Sequence, residues 1–503
     1  MLEHLARNAP DDEAFGYLEK WAELAPFDRR VHETLLAALA RRGRIREGEE
    51  HLAATVRLFE DEGLDCAPLH YAWRSARSES ASPPRARDEA ASLAAAASSG
   101  RDDSVAVAAR RASIAVMPFI DQSTAPGARG GVADALAHDV ITRLAKLRSM
   151  FVIAQGTVFA LHERRVGAEE AGRMLNVDYI VSGSVRRQGE RLTVTVELAE
   201  TRTARIVWAE TFNHKLDDAF AILEEIGDRI VASIASEVEL IERNRAILRP
   251  PNSLDAWEAH HRGLWHMYRF SQPDNEQARH FFQMAVRLDP TFSRAYAGLS
   301  FTHFQDAFQG WAQREPEIDR AFDAAGQSLM ADDRDPAAHW AMGRALWLRG
   351  QHDQSVIELA RAIDLSPNFA LGHYNLAFVH STAGDPLAAI SSSDHSRDLS
   401  PFDPMLFGML GTRAMALVRL RRFEEAADWA VKAAARPNAF PHIRAIAAYC
   451  LALAGSLDEA HAYAAAVRRV VPRYSVDDFL GAFRFDPEGA ALFRKGAKLV
   501  GMA

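Results

Sequence analysis

From residue 13 to residue 75, apolar side chains recur at i, i+3, i+4 and i+7. The stretch "EAFGYLEKWAELAPFDRRVHETLLAALARRGRIREGEEHLAATVRLFEDEGL" carries the pattern and predicts a set of amphipathic helices. Pro26 separates the first from the second, and Gly43 and Gly63 mark the next two ends. At "SIAVMPFIDQS" (113–123) the helical period stops. Ile114 to Met117 and Phe119 form a nearly continuous apolar run, which predicts a strand covered on both faces, and Pro118 marks its edge or its end. Helical spacing returns in "VADALAHDVITRLAKLRS" (132–149). "FVIAQ" (151–155) reads as a strand and "GAEEAGRMLNV" (167–177) as a short helix. Residues 178–200 read as a hairpin, because Leu192 to Leu198 alternate with period two and Gln188-Gly189 supplies the turn. A strand at 205–213 and a long helix at 216–244 complete the order β-α-β-α-β-β-β-α, which predicts a compact mixed α/β domain.

Two other stretches frame that domain. Residues 76–112 are dominated by Ser, Ala, Arg and paired Pro, with few large apolar side chains. Such a segment buries too little surface to offset an ordering entropy of about 1–2 kcal/mol per residue, so it is expected to be a flexible linker. From about 254 onward the chain becomes periodic. Amphipathic helices are followed by Pro290, Pro336, Pro367, Pro401, Pro437 and Pro472, the last three intervals being 34, 36 and 35 residues. This is tetratricopeptide spacing, and it predicts stacked helix pairs forming an α-solenoid with a concave groove. The expected organisation is therefore multidomain, α plus α/β: a helical module over 1–75, a linker over 76–112, an α/β domain over 113–247, and a repeat solenoid with a C-terminal cap over 254–503.

Composition changes this picture little. The 503 residues are 48% apolar and 25% charged, with a net charge of −9, so no global basic field exists to hold a phosphate backbone. The first residues, "MLEHLARNAPDDEAF", contain acids and no apolar core of the kind an export signal needs. No apolar run approaches the roughly 20 residues of a membrane helix. A cytoplasmic protein with no membrane partner is expected. Cys66 and Cys450 lie far apart among apolar neighbours and read as small core residues.

Candidate chemistry is sparse. "GARGGVADAL" (127–136) is a Gly-rich turn opening a helix, which can hold an anion on free N–H groups, but it matches neither phosphate-loop pattern and reads more simply as a flexible loop. His260, His261 and His266 cluster on one helix. His261 falls on the face of Trp257 and Trp265, the placement of a packing residue rather than a metal ligand. Arg186, Arg187 and Arg191 flank the hairpin turn, where charges commonly keep an edge soluble. No metalloprotease or nucleophile-elbow motif occurs, and the carboxylates fall on solvated helix faces. No catalytic, cofactor-binding or metal-binding residues are assigned, and the chain is not expected to be an enzyme.

The strand, hairpin and Trp208 segments over about 113–245 closely resemble the TolB-like amino-terminal domain, which bacterial regulators typically join to tetratricopeptide repeats opening like "SLDAWEAHHRGLWHM". One departure is Ala135, where that family usually has Gly. Residues 13–75 resemble the bacterial transcriptional activator (SARP-like) domain, itself a tetratricopeptide-like module that usually follows a DNA-binding winged helix. Met1 lies almost inside this module, so the winged helix is expected to be missing or to lie upstream, with DNA engaged only indirectly or through that absent domain. Some relatives carry an adenylate cyclase domain in front. The resemblance implies a non-enzymatic signalling or transcription-regulator scaffold. The alternatives are the regulatory portion of an adenylate cyclase-like protein, or a small-ligand sensor working through the α/β domain.

The repeats offer the expected contact surface for a protein or peptide partner. Taking Gly343 and Ala377 as the small residues of successive first helices places Trp340, Arg344 and Trp347 on the concave wall, with Tyr374 and Phe378 one repeat on. Aromatics and Arg dominate interface hot spots, but in a solenoid they also form the core between repeats.

Overall fold

The computed structural model describes residues 18, 29–41, 44–61, 69, 73, 76, 111–123, 131–215 and 219–503. Pro26, Gly43, Gly63, Cys66, nearly all of the 76–112 segment and the start of the Gly-rich turn lie outside the described residues. The chain divides into two compact units, Met1–Ala106 and Val107–Ala503.

In the first unit, helices α1 (Arg29–Arg41) and α2 (Ile45–Asp61) form a hairpin. Val31, Leu35, Leu36 and Leu39 recur at helical spacing and are buried, which is why α1 forms and which face it hides. His32 Nδ1 and His51 Nε2 lie 3.0 Å apart. Burial, and secondarily the neighbouring His32, pushes His51 down to about 4.

The second unit begins with β1 (Ser113–Val116) and the short β2 (Ile120–Asp121). Helix α3 (Val132–Leu147), β3 (Phe151–Val152), α4 (Gln155–Glu163) and α5 (Ala168–Leu175) follow. Then come β4 (Tyr179–Gln188), β5 (Arg191–Glu200), β6 (Arg205–Lys215) and the 30-residue α6 (Ala219–Leu248). The sheet order is β3-β1-β4-β5-β6, with β2 also on β4; β1 is parallel to β3 and β4, and the β4-β5-β6 ribbon is antiparallel. The Pro118 position therefore interrupts one line of strand, which resumes as β2. The stretch expected to be a strand over 151–155 pairs only at Phe151 and Val152 and turns into α4 at Gln155. Along β5, Leu192, Val194, Val196 and Leu198 are buried, whereas Thr193 and Thr195 point the other way and hydrogen-bond to Asn213 and Thr211. Helices α3 and α6 pack on one another and against the sheet. Gly189 takes φ +60° in the hairpin turn, where a side chain would be strained.

Six helix pairs follow. They are α7 (Ala256–Met267) with α8 (Gln272–Leu288), α9 (Ser293–Gln309) with α10 (Arg314–Ala331), and α11 (Pro336–Leu348) with α12 (His352–Leu365). The next three are α13 (Ala370–Ala383) with α14 (Pro386–Leu399), α15 (Leu406–Arg419) with α16 (Phe423–Ala434), and α17 (Pro441–Ala454) with α18 (Leu457–Val470). Helices α19 (Val476–Phe483) and α20 (Pro487–Leu499) end the chain. The second helices end at residues 288, 331, 365, 399, 434 and 470, a spacing of 34 to 36 after the first, longer interval. Pro336 does not end a helix. It is the first residue of α11, where its missing N–H costs nothing, and Asp335 caps it by accepting from Ala337 N at 2.9 Å. The first interval stays long, 43 residues between the ends at 288 and 331, because α9 and α10 have 17 and 18 residues. Close packing of the pairs depends on small residues: Phe282, fully buried, is wedged between Gly263 on α7 and Gly298 on α9. Cys450 is buried in α17, as expected. Among the described residues, no helix is long and apolar enough to cross a membrane.

Candidate functional site

The five side chains expected on the concave wall do converge, and they converge on each other. Trp340 stacks on Phe301, with ring centres 5.5 Å apart. The Arg344 guanidinium lies 3.8 Å from the Phe304 ring centre and donates to Asn375 Oδ1. Trp347 meets Phe378 at 4.8 Å, and Tyr374 reaches toward Gly408. Rings from far along the chain then close over them. Phe308 on α9 contacts Phe440, His442 and Phe483, and Phe378 contacts Phe483. Trp340, Arg344, Trp347, Tyr374 and Phe378 are all less than 9% exposed. The wall is thus an interior seam, and a partner reaching these residues must first displace α17 and α19. Burial lowers Arg344 to about 10, against the raising influence of Tyr374. It is the one guanidinium in this cluster, held by ring faces and an amide rather than by a carboxylate.

The three histidines of α7 are likewise structural in their contacts. His261 is buried, its ring 4.1 Å from that of Trp257 and its Nδ1 3.0 Å from Trp257 O. His266 pairs with Asp274 at 2.9 Å. His260 is buried, its pKa is pushed well below the usual value by burial, and its Nδ1 has no hydrogen-bond partner. A separate buried cluster, His303, Asp306 and Glu317, was not anticipated because its members come from two helices. Its carboxylates are already engaged: Glu317 by His303 at 2.6 Å and by Arg320, Asp306 by Asn275 at 2.8 Å and by Arg279. That is a satisfied polar network.

The joint between the sheet and the repeats is the more informative region. Glu242 on α6 accepts from Tyr179 at 2.8 Å and from Trp257 Nε1 at 2.8 Å, tying β4 to α7. Arg245 joins Glu242 to Glu200 at the end of β5. Arg148 donates to Asp332 at 2.8 Å, Arg294 to Leu147 O, and Asn368 to Asp228 at 2.7 Å. These contacts make the α/β part and the repeats one packed unit. Beside them, between α6 and the helices α7, α9, α11 and α13, lies a cavity of about 360 Å³ that is open to the surface, with the loop before α15 at its rim. In that loop Asp403 accepts from Met405 N at 2.7 Å, and burial raises its carboxyl to about 6. Nothing in the sequence signals this cavity, since its wall is drawn from segments as far apart as Leu147 and Pro404.

Comparison with known proteins adds a family for part of this unit. Residues 110–231 match the second domain of HilA/YgeH-like transcriptional regulators. The α/β domain that is similar to this family is joined to six helix pairs. A Rhizobium meliloti (strain 1021) protein described as "Putative adenylate cyclase 3" is 29% identical over 239 residues, covering 47% of this chain and 40% of that protein. The chain therefore spans less than half the length of that curated relative. Among solved structures, TolB from Acinetobacter baumannii is similar over 26% of this chain and 28% of its own, at 13% identity and a TM-score of 0.19. Pseudomonas aeruginosa PilF is similar over 46% of this chain and 94% of its own, at 19% identity and a TM-score of 0.31.

Proposed function

We propose that the chain is a non-enzymatic, transcription-regulator-type scaffold whose repeats bind a protein or peptide partner and whose α/β part moves with them. The observation that carries the reading is the regulator-family match over 110–231, packed through Glu242, Arg148 and Arg294 against six helix pairs. Coupling needs such a continuous contact, since a ligand on one part shifts the other only through differential interactions. Contact with DNA would be indirect, through a partner or a further domain. Contact through Trp340, Arg344, Trp347, Tyr374 and Phe378 would require the seam to open.

A second reading is favoured by the relative named for adenylate cyclase: the chain as the regulatory portion of a cyclase-type signalling system. One experiment separates the two. Deleting the gene in its host and measuring both transcript profile and cyclic AMP should change a defined transcript set at constant cyclic AMP. Unchanged transcripts with altered cyclic AMP would overturn the scaffold-regulator reading in favour of the second.

A further inference from the structure

We propose that the cavity between α6 and the first helices of the repeats is a binding site for a small aromatic amine. The volume, about 360 Å³, lies within the roughly 300–1,000 Å³ that small-molecule sites occupy, and it is too small for a folded partner. Its walls are largely apolar: Ala235, Val238 and Leu240 from α6, Leu264 from α7, Ala297 from α9 and Leu371 from α13. Aromatic faces recur around it, from Trp257, Tyr268 and Trp340, and Phe402 stands at its rim 85% exposed. Exposed Phe402 and half-exposed Leu240, which both line the cavity, are surface that water disfavours and an apolar ligand body would cover.

Charge decides the class of ligand. Glu237, Glu239 and Asp403 line the cavity against two guanidiniums, Arg243 and Arg294. Arg294 is taken by Asp335, at 3.0 Å from its Nε, and Arg243 lies 3.7 Å from Glu239. That leaves Asp403 and Glu237 with no ion pair within 4.0 Å among the described residues, although Arg243, 4.8 Å over the Tyr268 ring, also acts on Asp403 from a distance. A carboxylate in surroundings of low polarity gains most from a cation that brings its own hydrogen bonds, and ring faces attract the same cation. The Asp403 carboxyl is raised by burial, with Glu239 adding to the rise and Arg243 opposing it. An anionic ligand would meet net repulsion here. Because the wall joins α6 to four repeat helices, an occupant would stiffen the joint described above.

The test uses the purified full chain and two probes of equal shape, tyramine and its carboxylate counterpart desaminotyrosine. Calorimetry and thermal unfolding at neutral pH should show saturable one-to-one binding of tyramine with a rise in Tm, and none of desaminotyrosine. Asp403→Asn should weaken tyramine by about tenfold or more, the scale of one lost charge-assisted hydrogen bond. Ala235→Leu fills the cavity from a position that already faces it and should abolish binding while the circular-dichroism spectrum stays unchanged. Absence of saturable tyramine binding at millimolar concentration overturns the proposal. So does equal binding of desaminotyrosine, or undiminished affinity in Ala235→Leu. The measurement is made on the isolated chain, so its failure and the failure of the regulatory reading, which is judged on transcripts, are distinguishable.

Discussion

Phe282 gives the sharpest test of the repeat packing. Its ring is fully buried, and a methyl placed on Gly263 or on Gly298 would stand 2.6 Å from its edge. Carbon contacts are comfortable at about 3.5–4.0 Å, so either substitution asks the ring to move by about 1 Å. Both glycines, one on α7 and one on α9, approach the same ring atoms, so the ring packs against the two helices at once. Overpacking of this kind costs about 1–3 kcal/mol, and a ring hemmed from both sides belongs at the upper end. Replacing Gly by Ala within a helix returns about 1 kcal/mol. Gly298→Ala is therefore expected to destabilise by about 2 kcal/mol, lowering the melting temperature by only about 2–3 °C for a unit of this size. Gly326, on α10, has open space where its Cβ would be, so Gly326→Ala should raise stability by about 1 kcal/mol from the helix term alone. Adding Phe282→Leu to Gly298→Ala should cost less than the two single losses together, with a coupling of about 0.5–3 kcal/mol. The readout is thermal or urea unfolding followed by tryptophan fluorescence. If Gly298→Ala and Gly326→Ala shift stability in the same direction, the wedge does not exist.

The remaining expectations concern charge. Burial pushes His442 down to about 4, with its Nδ1 against the Tyr474 hydroxyl and rings of Phe308, Phe440 and Phe483 around it. Between that value and the ordinary 6.5 the unfolded chain binds the proton and the folded one does not. Stability should thus be full above about 6.5 and fall by up to about 1.4 kcal/mol per pH unit toward 4; in His442→Leu the melting temperature should fall less steeply with pH. Asp403 has the opposite sign. Its raised carboxyl favours the folded state below about 3.8, and that advantage is lost as pH rises through about 6. Asp403→Asn, which keeps a cap for Met405 N, should stabilise the protein at pH 7 by on the order of 1 kcal/mol after solvent screening, as measured by denaturant titration. Arg344 is a buried cation with no carboxylate partner among the described residues, so Arg344→Met should be neutral or stabilising, whereas Arg344→Ala should cost about 2–3 kcal/mol through the void it leaves; a stabilising Ala variant would contradict the packing described.

Helix pairs and strands were legible because each follows from local periodicity. The 34-residue spacing, the alternation of Leu192 to Leu198 and the Gly189 turn all act over short distances. Errors came where one residue can serve two roles. Pro336 looks like a helix terminator and is a helix initiator, because Asp335 before it supplies the cap. "FVIAQGTVFAL" is rich in β-branched and aromatic residues, yet α4 forms from Gln155 onward and buries Val158 and Leu161 on one face. The convergence of Trp340, Arg344, Trp347, Tyr374 and Phe378 was readable from repeat register. Their burial was not, because it depends on how tightly the coil winds and hence on Phe440, His442 and Phe483 arriving from three repeats away.

The same winding closes the inner wall and leaves the joint as the place where a sizeable cavity remains. A coil whose first helices meet across its axis leaves a residual void of only about 20 Å³ among Phe308, Phe378 and Phe440, too small for anything but water. Helix α6 lies outside that seam. It is 30 residues long, roughly 45 Å, so it can pack on the sheet through its first half and still run alongside α7 and α14 with its second. A helix shared in this way cannot adjust to the repeats without adjusting to the sheet. Glu242 shows this within one side chain, with one carboxylate oxygen on Tyr179 of β4 and the other on Trp257 of α7. A change in how α6 seats against the repeats is therefore felt at the sheet through one residue, and Glu242→Gln, which keeps the shape but removes the charge that Arg245 and both donors share, should loosen the two parts from each other before either unfolds. Hydrogen exchange should then rise first in α7 and at the end of β5; exchange unchanged in both places would show that the two parts are held together without Glu242.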